Sequence, residues 1–159
     1  MARGSRRVNQ FLAERGIDAQ IVTLSDSTRT SQMAADALGC SVAQIAKSIV
    51  FIGTRPVVVV VSGDMRVDQR KLFLLLEEEV EIADADTVRR GTGYVIGGVP
   101  PFPHEEGVRV VLDASLARFK EVWTAAGTPN SVMKIGVDAL RGQLGGEFVD
   151  VSKQMSKQK

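Results

Sequence analysis

Residues 45–61 constrain the fold of this chain more than any other stretch. Ile45-Ala46-Lys47-Ser48-Ile49-Val50-Phe51-Ile52 is β-branched and apolar on both alternating faces, Val57 to Val61 is an unbroken valine run, and Gly53-Thr54-Arg55-Pro56 lies between them. Strands that are apolar on both faces are covered on both sides, and a short turn built on Gly and Pro joins antiparallel neighbours. The stretch predicts a hairpin of two central strands.

The elements on either side do not alternate as a regular βαβ series. Val8, Phe11, Leu12 and Arg15 have helical spacing and Gly16 stops them. Ala19 to Leu24 reads as a short strand. Thr30 or Ser31 caps a helix that ends at Gly39, and Ser41-Val42-Ala43-Gln44 has the spacing of a capping box for one further turn. Asp64 or Asp68 starts a helix with Leu72, Leu75 and Leu76 on its buried side, and Asp84 to Arg90 suggests another. Tyr94 to Ile96 is expected as a strand, followed by strands at Val108–Leu112, Val122–Thr124 and Val132–Ile135. Short helices are expected at Ala114–Lys120 and Val137–Leu144, the last closed by Gly145-Gly146. This order favours an α+β fold: one compact domain over residues 1–159 with a mixed sheet flanked by helices.

Size agrees, since 159 residues that are 44% apolar suit a single core and are too few for a multi-domain enzyme. The net charge of +1, from 20 basic and 19 acidic residues, excludes a global field of the kind that grips long nucleic acid. Any nucleic-acid contact is therefore local, and DNA is not an expected partner. Two modest basic clusters, Arg3, Arg6 and Arg7 in front and Lys153, Lys157 and Lys159 behind, lie in ends expected to be solvated and partly frayed at about 1–6 and 152–159. No apolar run reaches the roughly 18 residues of a membrane span, and no signal-peptide pattern opens the chain. With Cys40 as the single cysteine, these absences make a reduced, cytoplasmic setting the default and no membrane partner is expected.

Two features do not serve a core. Lys47 interrupts the first apolar strand, and a buried unpaired ammonium costs several kcal/mol or more, so it must reach a cleft, a partner or water. The run Gly97-Gly98-Val99-Pro100-Pro101-Phe102-Pro103-His104 cannot continue a sheet ladder and is expected as a rigid, exposed loop that presents backbone amides. Other chemistry is poorly provided for. One histidine and one cysteine cannot make a histidine-cysteine metal cluster, and neither a phosphate-binding nor a dinucleotide-binding glycine motif occurs, so no metal or redox cofactor is expected. His104 and Asp113 lack a nucleophile elbow to complete a triad. An ammonium and free amides together suit an anion, or a carbonyl developing negative charge, in an ester whose attacking group comes from the substrate.

These residues, in this order, resemble the YbaK family, also known as the prolyl-tRNA synthetase-associated editing domain. The resemblance runs from about Thr23 to Val149 and rests on several short motifs. They are Ala34-Ala35-Asp36-Ala37-Leu38-Gly39, Ile45-Ala46-Lys47-Ser48, Arg66-Val67-Asp68, Gly93-Tyr94, the Gly-x-x-x-Pro element from Gly97 to Pro101, Phe102-Pro103-His104, Leu112-Asp113 and Ala126-Gly127-Thr128-Pro129-Asn130. Position 103 departs from the family, being proline where glycine is usual. The resemblance implies a mixed, barrel-like sheet and a deacylase that hydrolyses the ester of a mischarged tRNA in trans. The substrate would carry a small amino acid such as alanine, serine or cysteine, with proline tRNA as the favoured carrier. It implies that Lys47 binds the substrate's carbonyl or phosphate and that the amides of Gly97 and Gly98 stabilise the oxyanion. The Gly-x-x-x-Pro loop, with Val99, Pro100 and Pro101, would surround the ester, and Ser48 with the turn Gly127-Thr128-Pro129-Asn130 would line the amino-acid pocket. The partners it implies are the tRNA acceptor end and an aminoacyl-tRNA synthetase. The alternative from another class is a non-catalytic module that binds a tRNA end or a nucleotide and associates with a synthetase.

Overall fold

In the computed structural model, residues 3–25 and 30–155 are described. The valine run behaves as its pattern requires. Strand β3 (Pro56–Ser62) pairs antiparallel with β2 (Ile45–Ile52) from Ala46↔Ser62 to Ile52↔Pro56, and all five valines of β3 are buried. Alternation sends Val58 and Val60 into one core and Val57 and Val59 into another, so each face of the strand needs its own cover. Burying a valine contributes about 1.5–3 kcal/mol, which makes this hairpin the centre of the fold.

The sheet grows outward from that centre. β3 pairs parallel with β6 (Arg109–Asp113), and β6 pairs parallel with β9 (Phe148–Val149). On the other side β2 pairs parallel with β7 (Glu121–Ala125), which pairs antiparallel with β8 (Ser131–Gly136), and β8 with β1 (Gln20–Thr23). A two-residue strand, β5 (Glu81–Ile82), joins the far end of β2. The result is a mixed sheet of eight strands in the order β1-β8-β7-β2-β3-β6-β9, with β5 on β2. A separate ribbon pairs β4 (Met65–Val67) with β10 (Ser152–Gln154).

One face of the sheet is covered by α1 (Arg3–Arg15) through Val8 and Leu12, α4 (Ala85–Thr92) through Val88 and α5 (Val137–Leu144) through Leu140. The other face is covered by α3 (Gln69–Leu76) through Leu72 and, near β7, by α2 (Ser31–Leu38) through Ala34 and Ala35. The caps read from the sequence are present: Thr30 accepts from the Met33 N–H, Asp68 from Arg70 and Lys71, and Asp84 from Thr87. Ser41 and Gln44 close a capping box on the 3-10 turn Val42–Gln44. A second 3-10 turn, Ala114–Arg118, occupies the place of the expected helix after β6. No helix among the described residues is long and apolar enough to cross a membrane.

Three expectations are corrected. Tyr94 to Ile96 is not a strand, because α4 runs on to Thr92, Gly93 caps it, and a turn closed by Gly98 N–H on the Val95 carbonyl follows. The ends are more ordered than their charge suggested. Arg3 to Arg6 lie within α1, and Ser152 to Gln154 form β10, because Val8 and Leu12 anchor the first and the β4 ladder holds the second. Lys157 and Lys159 lie outside the described residues. Finally, the glycine-proline run is mostly interior: only Gly97 is exposed, whereas Gly98 to Phe102 are buried. Phe102 stacks its ring 5.2 Å from that of Phe11 in α1, and Tyr94 donates its hydroxyl to the Pro103 carbonyl at 2.8 Å. The Phe102–Pro103 peptide bond is cis.

Candidate functional site

The sheet opens at one place. β7 pairs with β2 only at Ile45↔Trp123 and Ala46↔Thr124, and β5 pairs with β2 only at Phe51 and Ile52, so the edge of β2 between these ladders is uncovered. The Val50 carbonyl accepts from Ala83 N–H at 2.9 Å, and strand alternation turns the N–H and C=O of Ser48 toward the same open edge. A cleft of about 790 Å³ lies over this gap. Lys47, Ser48 and Ile49 line it from β2, and Trp123, Thr124 and Ala125 from β7. Asn130 to Val132 close the β8 side, Thr30, Ser31 and Ala34 the α2 side, and Ile96, Gly97 and Val99 the loop side.

Lys47 and the exposed end of the glycine-proline run therefore line the same cleft. Lys47 is half-buried, with its Nζ 3.5 Å from the Gly63 carbonyl, a long contact for a hydrogen bond. Burial lowers its pKa below the ordinary lysine value, and Asp64 pulls the other way. Across the cleft the loop has few donors to offer. Pro100 and Pro101 have no N–H, and Gly98 spends its own on Val95. The N–H groups of Gly97 and Val99 have no protein acceptor among the described residues. The φ of Gly97 is 84°, a backbone turn that glycine adopts without strain.

Of the residues singled out from the sequence, Lys47, Ser48, Gly97, Val99 and Asn130 line the cleft; Gly98, Pro100, Pro101, Gly127 and Thr128 stand behind the wall. A Cβ on Gly98 would lie 2.5 Å from the Thr128 carbonyl carbon, and Gly98's own carbonyl accepts from Gly127 N–H at 3.0 Å. Gly127 in turn touches the backbone of Gly4 in α1 so closely that neither position has room for a side chain. Thr128 bonds to Ser131 and to the Asn130 side chain, Ser131 to Ser5 of α1, and Asn130 to the Leu24 carbonyl. Pro101 lines a shallower hollow of about 310 Å³ on the opposite side of the loop. Gly98, Gly127 and Thr128 shape the site by packing the glycine loop against the 127–131 turn.

Sequence reasoning missed the α2 and β7 contributions. Thr30 and Ser31 read only as cap residues, and Trp123 sits in a short strand with nothing to mark it; the pairing of Trp123 with Ile45 is what brings it to the cleft. The hydroxyls of Ser48 and Ser62 are buried without partners on one face of the hairpin. His104 and Asp113 are engaged elsewhere. His104 lies against the Pro100 carbonyl at 2.7 Å, which fixes Nε2 as the protonated nitrogen, and Asp113 accepts from Ser115 N–H and Val151 N–H, both at 2.9 Å. Cys40 packs beside α2, and burial raises its pKa, as befits an inert thiol. Among the described residues no cluster of His, Cys, Asp and Glu has the makings of a metal site.

Comparison with known proteins places this geometry. Residues 25–142 match the model of the aminoacyl-tRNA editing domain. The uncharacterized protein YwhH of Bacillus subtilis (strain 168) is 32% identical over 117 residues, which are 72% of this chain and 74% of that protein. A crystal structure described as a candidate trans-editing enzyme for prolyl-tRNA synthetase superposes with a TM-score of 0.89 at 36% identity, covering 96% of this chain and 99% of that one. The hypothetical protein APE2540 gives 0.86 at 29% identity, covering 92% and 99%. The match spans both β2 with Lys47 and the loop that faces it, and the chain belongs to the YbaK-type aminoacyl-tRNA editing domain family.

Proposed function

We propose that this chain is a deacylase that acts in trans on a mischarged tRNA, hydrolysing the ester between a small amino acid and the terminal adenosine. Alanine, serine and cysteine are the amino acids in view and proline tRNA the favoured carrier. The observation that supports the reading is that Lys47, Gly97 and Val99 line one cleft, the amides of the last two having no protein acceptor among the described residues. Donors fixed in advance around a developing oxyanion favour the transition state over the ground-state ester. Among the described residues no histidine, cysteine or carboxylate lines the cleft beside its serine and threonine hydroxyls. The attacking oxygen comes instead from water, since attack by the neighbouring ribose hydroxyl would only shift the acyl group between ribose oxygens. Water adds to the ester carbonyl, the C–O bond to the adenosine breaks, and the ribose oxygen leaves with the proton that the water gives up.

An editing site of this kind supplies discrimination that binding alone does not, because one methylene is worth only about 1–3 kcal/mol in a pocket. The test is a deacylation assay on proline tRNA charged with alanine, serine, cysteine or proline. The native chain should release at least one of the three small amino acids and spare proline. Lys47→Ala should abolish release while the melting temperature stays within a few degrees of native. Full turnover by that variant would remove Lys47 from the reaction, and no turnover of any charged tRNA by the native chain would leave only a binding module.

A further inference from the structure

We propose that Asp64, clamped by Arg118, is a positioning residue that keeps the Lys47 ammonium charged and directed into the cleft. The inference rests on the reading that Lys47 meets the substrate, and it concerns the turn between β3 and β4, which no cleft residue belongs to.

That turn is gripped from three sides. Arg118 donates to both carboxylate oxygens of Asp64, Nη1 at 3.0 Å and Nη2 at 2.8 Å, and its Nε donates to the Ser115 carbonyl at 2.8 Å. The Ser62 N–H reaches the Ser115 hydroxyl at 3.2 Å, so the 3-10 turn after β6 holds residues 62 and 64 together. Gly63 sits between them with no space for a Cβ, which would strike the Val42 carbonyl and lie 3.0 Å from the Ser31 Cβ. Its N–H donates to the Ile45 carbonyl at 2.7 Å, tying the turn to the start of β2. The Gly63 carbonyl, the one protein acceptor within reach of Lys47 Nζ among the described residues, is fixed by these contacts.

Charge completes the argument. Asp64 is the ionised group that acts on Lys47, Arg118 and Lys47 both act on Asp64, and Asp113 acts on Arg118. The cleft residues contributed by α2, β7 and β8 carry no ionisable side chain among the described residues. Lys47 loses solvation by burial and has one weak carbonyl contact, on Gly63, and the carboxylate of the next residue, Asp64, opposes that loss. Arg118 keeps that carboxylate from closing directly onto the ammonium. A bidentate guanidinium fixes both oxygens, which leaves Lys47 attracted to Asp64 but free to face the cleft.

Two substitutions push Lys47 in opposite directions, which a merely structural role would not. The full chain labelled with 13C-lysine is titrated by NMR, with the Lys47 signal assigned from its loss in Lys47→Ala, and deacylation is followed across pH. Asp64→Asn should move the Lys47 midpoint down and carry the alkaline limb of kcat to lower pH, because two cations then face each other. Arg118→Gln should move the midpoint up, as Asp64 closes on Lys47, and lower kcat about 10- to 100-fold with little change in KM. Midpoints that stay at the native value in both variants, with native-like spectra, overturn the proposal. Should Asp64→Asn fail to fold, the Arg118→Gln midpoint decides by itself. Full activity of Lys47→Ala would sink the reading of the site, while the NMR midpoints would still judge the Asp64 contact.

Discussion

The β2–β3 hairpin and the segment from Gly93 to His104 reach the same cleft, and they are built in opposite ways. The hairpin supports itself: seven register pairs and five buried valines follow from the consecutive residues Ala46 to Ser62, and Lys47 rides on it. The segment has no ladder of its own. Its place is set by Phe11 from α1, by the Gly127 N–H from the far side of β7, and by the contacts of Tyr94 and His104 with the prolines between them. The difference teaches that the charged half of the site is a local product of pattern, whereas the amide half exists only when distant elements dock.

Substitutions in the segment should therefore cost both fold and chemistry, in a graded way. The largest effect is expected from Gly98→Val, whose Cβ would fall 2.5 Å from the Thr128 carbonyl carbon and 2.9 Å from the Pro129 nitrogen, backbone atoms that cannot turn aside. Overpacking of this kind costs about 1–3 kcal/mol and should displace the loop enough to lower deacylation about 100-fold, read from denaturant melts and single-turnover rates. Gly97→Ala sharpens the contrast, since its Cβ has open space, with the Pro129 Cβ 3.8 Å away, and the penalty comes from φ alone. A loss of about 1–2 kcal/mol is expected, with the loop still in place. If the two glycine variants were equally damaging in both measurements, the distinction between a packed and a presenting glycine would fall.

Tyr94→Phe removes the hydroxyl held by the Pro103 carbonyl and should cost about 1 kcal/mol by thermal melting, because an interior acceptor loses its donor. The smallest effect concerns His104. Burial, more than any charge, holds its pKa below the ordinary 6.5, since Nδ1 is enclosed without a partner. The unfolded chain then takes up a proton before the folded one does as pH falls. The neutral imidazole's contribution to stability is complete above pH 6.5 and is lost as pH drops from there toward the lowered folded value. His104→Gln keeps a donor for Pro100 and should flatten this part of the stability curve, measured by denaturant midpoints between about pH 7 and pH 5. An unchanged slope would mean that the imidazole is charged or solvated in the fold.

Much of this architecture was legible in advance for reasons that are local. Thr30, Asp68 and Asp84 cap helices through their own neighbours, Gly39 and Gly145 end helices in the left-handed conformation, and Val137–Leu144 has the bounds its pattern gave. The site was legible in part. Lys47 and Gly97 stand out because a charge in an apolar strand and a glycine beside prolines violate what a core asks. The places of Gly98, Gly127 and Thr128 did not show themselves, since a glycine that presents an amide and a glycine that lets two backbones touch are the same letter. The burial of Gly98 to Phe102 was misread for a related reason: proline and glycine exclude a ladder, but they do not decide which side of the chain meets solvent.

The sequence by itself determined the central hairpin, the mixed α+β character and the presence of a cation where a core has no use for one. Tertiary structure decided that β7 and β2 part after Ala46, that α1 and the 127–131 turn clamp the glycine loop over that gap, and that Lys47 meets the Gly63 carbonyl beside Asp64. Periodicity and capping act over a few residues and are written in the order of the chain. The cleft depends on contacts between residues far apart in sequence, whose geometry is fixed only when the layers pack.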